Sequence, residues 1–184
     1  GLDSSSKCNA CPAGRSSTSS GLTSTDDCTP CSKGKFAGGD GSYNDCGKGT
    51  YQNETGQTSC KPCGAGKYGD TTGAISDSAC KNCPSNTYSS ATGLDSLSKC
   101  NTCPLGKSST LTGLDSADKC KACDKGKYAA SDGTIKSCSK GTYQDQKGQT
   151  SCKPCGAGKY GDTMGAISVQ ACKDCPINTY SSAT

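Results

Sequence analysis

The chain has 184 residues, of which 18 are Cys and 25 are Gly, and it contains no Trp and no His. An apolar fraction of 30% is too low for an ordinary buried core, which leaves either disorder or a fold held by covalent cross-links. The net charge of +4 is spread along the chain without a basic stripe, which argues against nucleic-acid binding, and no run approaches the roughly 18 apolar residues of a membrane span.

One repeated unit accounts for nearly the whole chain, and it is clearest between Cys60 and Cys80. The unit opens with Cys-x-x-Cys. Counted from the second Cys, the third residue is Gly or Asn, the fifth is usually aromatic and the tenth is Gly. Gly and Asn adopt positive φ most readily, so the third and tenth positions predict two turns. Two turns between successive cysteines indicate a short hairpin closed by a disulfide.

In chain order, residues 1–45 contain two complete Cys pairs separated by a Ser/Thr run at 16–20 that disfavours a helix. Residues 46–92 begin with a lone Cys46, because Tyr43 stands where its partner in the pair should be, and continue through two regular units. The remaining residues repeat this order, with Ile135 before a lone Cys138. No segment keeps a helical apolar period for three turns, which predicts short β-hairpins and coil with little or no helix. The two residues inside each pair would be short linkers, and the units would stack into an elongated rod.

A larger period divides the chain into two halves. Residues 1–92 align with residues 93–184 without a gap, and 64 of the 92 positions are identical. We therefore predict two five-unit cysteine-rich domains, at 1–92 and 93–184. Because Thr184 would lead directly into the unit position of Gly1, we expect the sequence to be part of a longer array.

The cysteines fit either disulfides or zinc. The spacing Cys-x2-Cys-x16-Cys-x2-Cys suits a zinc ribbon, but there is no His, two cysteines stand alone and the surface is rich in Ser and Thr. A thioredoxin-like redox role needs a βαβ setting that the pattern lacks, and no loop has an EF-hand pattern. The sequence therefore favours structural disulfides, without a metal or a cofactor, in an extracellular or cell-surface protein.

Cysteine connectivity does not follow from spacing alone. The preferred pattern is a ladder in which the second Cys of each pair bonds the first Cys of the next pair: Cys11–Cys28, Cys46–Cys60, Cys63–Cys80, Cys83–Cys100, Cys103–Cys120, Cys138–Cys152 and Cys155–Cys172. Cys8 would then pair with a preceding unit and Cys175 with a following one. The alternative crosses the pairs, as in Cys8–Cys28 with Cys11–Cys31. The ladder leaves Cys31 and Cys123 over, as buried thiols or as lateral bridges to another chain or to each other.

Two kinds of glycosylation site are candidates. Asn53-Glu-Thr55 is an N-glycosylation sequon that has no counterpart in the second half. The Ser/Thr runs stand in the two units that lack an aromatic at the fifth position, and they are either solvated loops or O-glycosylation sites. The candidate hydroxyl residues are Ser16, Ser17, Thr18, Ser108, Ser109 and Thr110.

The stretch from Cys46 to Cys63, Cys-Gly-Lys-Gly-Thr-Tyr followed by a Gly and by Cys-Lys-Pro-Cys, resembles the ephrin-receptor-like cysteine-rich repeat. The pattern departs at the lone cysteines Cys46 and Cys138, and the Pro after Cys is kept only at Pro12, Pro84, Pro104 and Pro176. Long arrays of periodic Cys-x-x-Cys in surface proteins of protists are also similar. The resemblance implies an extracellular disulfide-bonded module with no enzymatic activity and no fixed ligand.

These observations lead to two functional hypotheses. The first is a non-enzymatic structural protein, a glycosylated rod that self-associates or continues the same array in a surface filament, flagellar hair, coat or stalk. The alternative is a ligand- or partner-binding ectodomain of a receptor or surface antigen, with the divergent loops at 36–45 and 128–137 as candidate binding sites. No Ser/His/Asp set, nucleotide-binding loop or paired acid supports an enzyme.

Overall fold

A computed structural model describes residues 8–40 and 42–182, and these ranges contain nine two-stranded antiparallel hairpins and no α-helix. The hairpin strands are β1 Arg15–Ser16, β2 Thr29–Pro30, β3 Lys35–Phe36, β4 Asn44–Asp45, β5 Thr50–Tyr51, β6 Lys61–Pro62, β7 Lys67–Tyr68, β8 Lys81–Asn82, β9 Thr87–Tyr88, β10 Asn101–Thr102, β11 Lys107–Ser108, β12 Lys121–Ala122, β13 Lys127–Ala129, β14 Ile135–Ser137, β15 Thr142–Tyr143, β16 Lys153–Pro154, β17 Lys159–Tyr160 and β18 Lys173–Asp174. Short 3₁₀ turns occur at Thr25–Asp27, Asp77–Ala79, Leu97–Lys99, Ala117–Lys119 and Val169–Ala171. The predicted class, small disulfide-rich hairpin repeats, is confirmed.

Each hairpin spans one repeat unit, which we call a module and number from the second Cys of its opening pair. The first strand starts four residues after that Cys, and in most modules the second strand lies inside the next Cys pair. In the module of Cys63, Lys67 pairs with Asn82 and Tyr68 pairs with Lys81. The residues inside the pair are therefore the second strand of the hairpin and not the linker that the sequence suggested, because their backbone groups pair with the preceding strand.

Both predicted turns are confirmed by the backbone angles. Gly49, at the third position, has a φ of 79°, and Gly93, at the tenth, has a φ of 72°. Asn86 and Asn178 replace Gly at the third position with φ values of 61° and 65°, which Asn tolerates better than other side chains. The tenth-position Gly41 lies outside the described residues.

Three backbone hydrogen bonds in a fixed pattern join successive modules at five junctions, those of Cys31/Cys46, Cys46/Cys63, Cys63/Cys83, Cys123/Cys138 and Cys138/Cys155. Among the described residues, the modules of Cys103 and Cys123 form none of these three bonds. Between the modules of Cys46 and Cys63, the N–H of Gly49 donates to Gly69 O at 2.8 Å and the N–H of Gln52 donates to Ala74 O at 2.9 Å. The N–H of Gly73 donates back to Cys46 O at 2.7 Å. The modules of Cys138 and Cys155 are joined by the same three bonds, Gly141 to Gly161, Gln144 to Ala166 and Gly165 to Cys138. Backbone groups that a small hairpin leaves unpaired are thus satisfied by its neighbour.

Sulfur atoms form most of the core. Twelve of the 17 buried apolar residues are cysteines, and the others are Ala or Leu. In one cluster, the ring of Tyr88 packs against Leu114 and against the Cys103–Cys120 bridge. The fifth-position ring of the module of Cys83 therefore covers the disulfide of the following module, which completes its core with a side chain from its neighbour.

The described chain divides into two compact units. One contains the residues up to Cys83 together with Ser89–Cys100, and the other contains Pro84–Tyr88 together with the residues from Asn101 onward. The segment 84–88 joins the second unit because β9 pairs with β10. The two domains predicted at 1–92 and 93–184 rest on the sequence repeat and stay a prediction.

Candidate functional site

The structure contains seven disulfides, each of which joins the second Cys of one pair to the next cysteine along the chain. The bridges are Cys11–Cys28, Cys46–Cys60, Cys63–Cys80, Cys83–Cys100, Cys103–Cys120, Cys138–Cys152 and Cys155–Cys172. Five of them span 17 residues, and the Cys46 and Cys138 bridges span 14. These are the pairs of the ladder pattern, and the crossed pattern does not occur among the described residues.

Hairpin geometry explains the ladder. The two strands of a module bring its opening Cys and the next cysteine together, with Cα–Cα distances of 5.6 to 5.8 Å. These distances lie in the usual range for a disulfide. Each bridge therefore closes the hairpin to which it belongs.

Cys31 and Cys123 carry buried thiols. In the ladder each would bond the first Cys of the next pair, but Tyr43 and Ile135 occupy those positions. Both cysteines are 1% exposed. The thiol of Cys31 donates to Gln57 O at 3.2 Å, and the thiol of Cys123 donates to Gln149 O at 3.3 Å. A lateral bridge from either thiol would require the module to open, and such a bridge stays a prediction.

Cys8 and Cys175, the first and last cysteines of the sequence, differ from Cys31 and Cys123 in their exposure. Cys8 is exposed and Cys175 is half-buried, and neither is bonded within the described residues. Bonds from Cys8 to a preceding unit and from Cys175 to a following unit stay predictions.

Two glutamines that the repeat pattern did not single out, Gln52 and Gln144, are buried, and each is 2% exposed. The side-chain N–H of Gln52 donates to Ser59 O at 2.8 Å, and its Oε1 accepts from the N–H of Glu54 at 3.1 Å. Gln144 makes the equivalent bonds to Ser151 and Gln146. Each glutamine thus takes the place of backbone pairing in the two modules with 14-residue bridges. The signal was Gln at the sixth position of these two modules only, where the others have a small residue.

The candidate glycosylation residues differ in accessibility. Asn53 is exposed, and its Oδ1 accepts from Lys61 Nζ at 2.9 Å. Thr18 and Thr110 are exposed, and Ser16, Ser17 and Ser109 are half-buried. Ser108 is only 5% exposed, so its hydroxyl lies out of reach of a modifying enzyme. The glycan hypothesis therefore does not extend to Ser108, and at the other residues it stays a proposal.

Charged side chains form short pairs across and between the hairpins. Lys81 Nζ lies 2.7 Å from Asp70 Oδ2, and this hydrogen bond lowers the pKa of the Asp70 carboxyl and raises the pKa of the Lys81 ammonium. The equivalent pair Lys173–Asp162 behaves in the same way. Exposed pairs of this kind contribute little to stability. The shifts arise from pairing at the surface and not from a buried carboxyl poised for acid–base chemistry.

The described residues contain no cluster of three or more His, Cys, Asp or Glu side chains that could hold a metal ion. In the same ranges no helix is long and apolar enough to cross a membrane. What the arrangement provides chemically is covalent cross-linking and a set of polar and charged hairpin faces.

Two segments of the chain match a known protein family. Residues 34–80 and 134–172 match the family described as tyrosine-protein kinase ephrin type A/B receptor-like. The two segments are similar to ephrin-receptor-like repeats. Each contains one 14-residue and one 17-residue bridge, Cys46–Cys60 with Cys63–Cys80 and Cys138–Cys152 with Cys155–Cys172. The resemblance inferred from Cys46–Cys63 is thus confirmed. A search of curated proteins finds no match.

The ephrin-receptor-like repeat is a non-catalytic, disulfide-rich module of extracellular type. The two matched segments end at equivalent positions of the two halves, Cys80 and Cys172, and start within the modules of Cys31 and Cys123.

Proposed function

We propose that the chain is a structural repeat segment of an extracellular surface assembly, such as a filament, flagellar hair, coat or stalk, and that it works without enzymatic activity. The observation that carries the proposal is the repeated junction, three backbone hydrogen bonds that recur at five of the module junctions, combined with one disulfide in most modules. A chain organised in this way transmits load through hairpins, most of which are closed covalently.

The mechanism is mechanical. A loop of 14 to 17 residues closed by a bridge stabilises the folded module by about 3 kcal/mol, mainly by restricting the unfolded chain. Such bridges substitute for the apolar core that the composition does not supply. Because the ring of Tyr88 packs forward onto the next module, removing the module of Cys83 would expose the core of the module of Cys103.

The covalent part of the proposal is tested by the intact mass of the native protein after enzymatic deglycosylation, measured with and without reduction and with a chelator control. Seven bridges predict a gain of at least about 14 mass units on reduction and no effect of the chelator. A loss of mass on treatment with the chelator, with thiols already free before reduction, would show that the cysteines bind zinc and do not form disulfides. That result would overturn the extracellular role.

The assembly part is tested by location. Antibodies raised against residues 1–184 would be used for immunogold electron microscopy of intact, unpermeabilised cells that make the protein. Gold aligned along filaments or hairs, or in a continuous coat, supports the structural role. Gold scattered singly over the plasma membrane would contradict it and favour the alternative, a receptor or surface-antigen ectodomain.

A further inference from the structure

Each half of the chain forms an open groove at the same place in the repeat. The groove of the first half is lined by Ser16, Asp27, Thr29 and Tyr43, and that of the second half by Ser108, Lys119, Lys121 and Ile135, which are the residues 92 positions later. We call them the first-half groove and the second-half groove. Their volumes are about 410 and about 470 Å³.

Both grooves lie where the repeat departs from its rule in two ways. The fifth-position ring is missing, since Ser16 and Ser108 stand there, and the next first Cys is replaced by Tyr43 or Ile135. These side chains line the grooves. A missing ring and a missing bridge in adjacent modules thus leave unfilled space at one point of each half.

The two grooves have opposite charge. Four lysines line the second-half groove, Lys119, Lys121, Lys127 and Lys147, against the single carboxylate of Asp124. The first-half groove has no lining lysine and one carboxylate, that of Asp27. The first half forms its groove with Asp27, Thr29 and Thr55 at the positions equivalent to Lys119, Lys121 and Lys147, and Asp27 and Thr29 line that groove. The scaffold therefore does not need these three lysines in order to fold.

The lysines are available to a ligand. Lys121 and Lys127 form no ion pair with any described residue, and both are exposed. Lys119 lies 2.9 Å from Asp115 and Lys147 lies 3.0 Å from Asp124, in exposed pairs that a competing anion can replace at small cost. Lys147 and then Lys127 lower the pKa of the Asp124 carboxyl, which reflects the positive potential of the groove.

Apolar side chains accompany these charges. Leu111 is 64% exposed and Ile135 is 43% exposed, and both line the second-half groove. Their first-half counterparts are Ser19 and Tyr43. None of the described residues that line the second-half groove is aromatic, so it offers no ring on which a sugar or a base could stack. An occupant that matches this surface carries several carboxylates and at least one aliphatic side chain.

We propose that the second-half groove binds an acidic peptide segment of a partner protein, with its carboxylates on Lys119, Lys121, Lys127 and Lys147 and an aliphatic side chain on Leu111 and Ile135. The first-half groove, with the same backbone and the opposite charge, does not bind this segment. The proposal does not depend on the structural role, since a partner could attach to the array or to an ectodomain.

The test uses the full 184-residue chain and a fluorescein-labelled 12-residue peptide of alternating Glu and Leu, followed by fluorescence anisotropy. The groove variant is Lys119→Asp with Lys121→Thr and Lys147→Thr, which introduces the residues that the first half has at these positions. The matched control is Lys33→Glu with Lys48→Glu, which changes the net charge by the same four units at exposed lysines of the first half. Both variants are checked for the same gain in mass on reduction as the native chain.

We expect the groove variant to bind at least tenfold more weakly and the control to bind within twofold of the native chain. The affinity should fall as salt is raised, because exposed charges are screened within about 10 Å at 0.1 M ionic strength. Peptides with Gln in place of Glu, or Ser in place of Leu, should bind less well. Equal loss of peptide affinity in both variants would show that binding depends only on net charge. Unchanged affinity in the groove variant would exclude the second-half groove as the binding site. Either result overturns the proposal. Heparin that binds through these lysines while the peptide does not would also overturn it, in favour of an acidic polysaccharide.

Discussion

Gly49 lies directly against the backbone of Gly93, two modules further along the chain. A Cβ atom on Gly49 would stand 2.3 Å from Gly93 O, and the φ of Gly49 is +79°. Gly14 meets Gly56 and Gly34 meets Gly73 in the same way, and in the second half Gly106 meets Gly148. The third-position Gly is thus required twice, by its own turn and by a module that is not its immediate neighbour.

Gly49→Ala should therefore destabilise the protein. A left-handed conformation costs a residue with a Cβ about 1–2 kcal/mol, and the contact with backbone atoms adds to this. We expect a loss of at least about 2 kcal/mol in urea unfolding of the disulfide-intact chain. Gly64→Ala is the control, because Gly64 lacks a positive φ and has open space where its Cβ would be. Equal effects of the two substitutions would show that the Gly49–Gly93 contact is not limiting.

Asn86 shows how a side chain is accepted at this position. Its Oδ1 accepts from the N–H of Ser109 at 3.0 Å, a backbone group that has no other acceptor among the described residues. Asn86→Gly keeps the turn but removes that acceptor, at a cost of about 1 kcal/mol. Amide hydrogen exchange at Ser109 should accelerate several-fold. Asn178→Gly, at a residue with a similar φ of 65° and no side-chain hydrogen bond among the described residues, should leave that amide unchanged.

The thiols of Cys31 and Cys123 should not react with alkylating reagents in the folded protein. Because both are buried and hydrogen-bonded to backbone carbonyls, we expect iodoacetamide to label them only after denaturation in guanidinium without reductant. Peptide mapping of labelled samples gives the measurement for each site. Rapid labelling of either thiol in the native protein would contradict its burial. Failure to label after denaturation would show that the cysteine is bridged, as the interchain interpretation requires.

Asp27 should contribute stability that depends on pH. The N–H groups of Thr23 and Ser24 donate to Asp27 Oδ2 at 2.8 and 3.0 Å, and these bonds lower the pKa of the carboxyl below its ordinary value of 3.8. A lowered folded-state pKa means that the contribution is complete above the unfolded-state value and is lost as the pH falls through the folded-state value. Asp27 should titrate below 3.8 by NMR.

Two substitutions distinguish the effect of the hydrogen bonds that Asp27 accepts from a general effect of surface charge. Asp27→Asn should accelerate amide exchange at Thr23 and Ser24 at neutral pH, because a charge-assisted acceptor is replaced by a weaker one. Asp26→Asn is the control, since Asp26 accepts no side-chain hydrogen bond among the described residues and lies in the same 3₁₀ turn. If Asp26→Asn had the same effect, the loss of one negative charge rather than the cap would be responsible.

The turns of the module could be predicted from the local sequence pattern, but the buried glutamines and the groove residues could not. Turns at Gly49 and Gly93 follow from what a residue without a Cβ can do. The buried Gln52 could not be foreseen, because a glutamine at a sixth position has no meaning until the shortened hairpin leaves Ser59 O and the N–H of Glu54 without partners. The groove residues were missed for a related reason. The loops at 36–45 and 128–137 were the binding sites predicted from the sequence. Of their residues, only Tyr43 and Ile135 line the grooves, alongside residues from the preceding module.

The sequence by itself determined the class of the protein, the length of its repeat and the two turns at the third and tenth positions of the module. These depend on neighbouring residues, on backbone angles that only Gly and Asn adopt easily, and on a composition that cannot fold without cross-links. Only the tertiary structure decided that Tyr88 covers the next disulfide, that Gly49 meets Gly93 and that Lys121 and Ile135 share a groove. Those contacts join residues of different modules, and a spacing along the chain does not specify how one hairpin turns its faces toward the next.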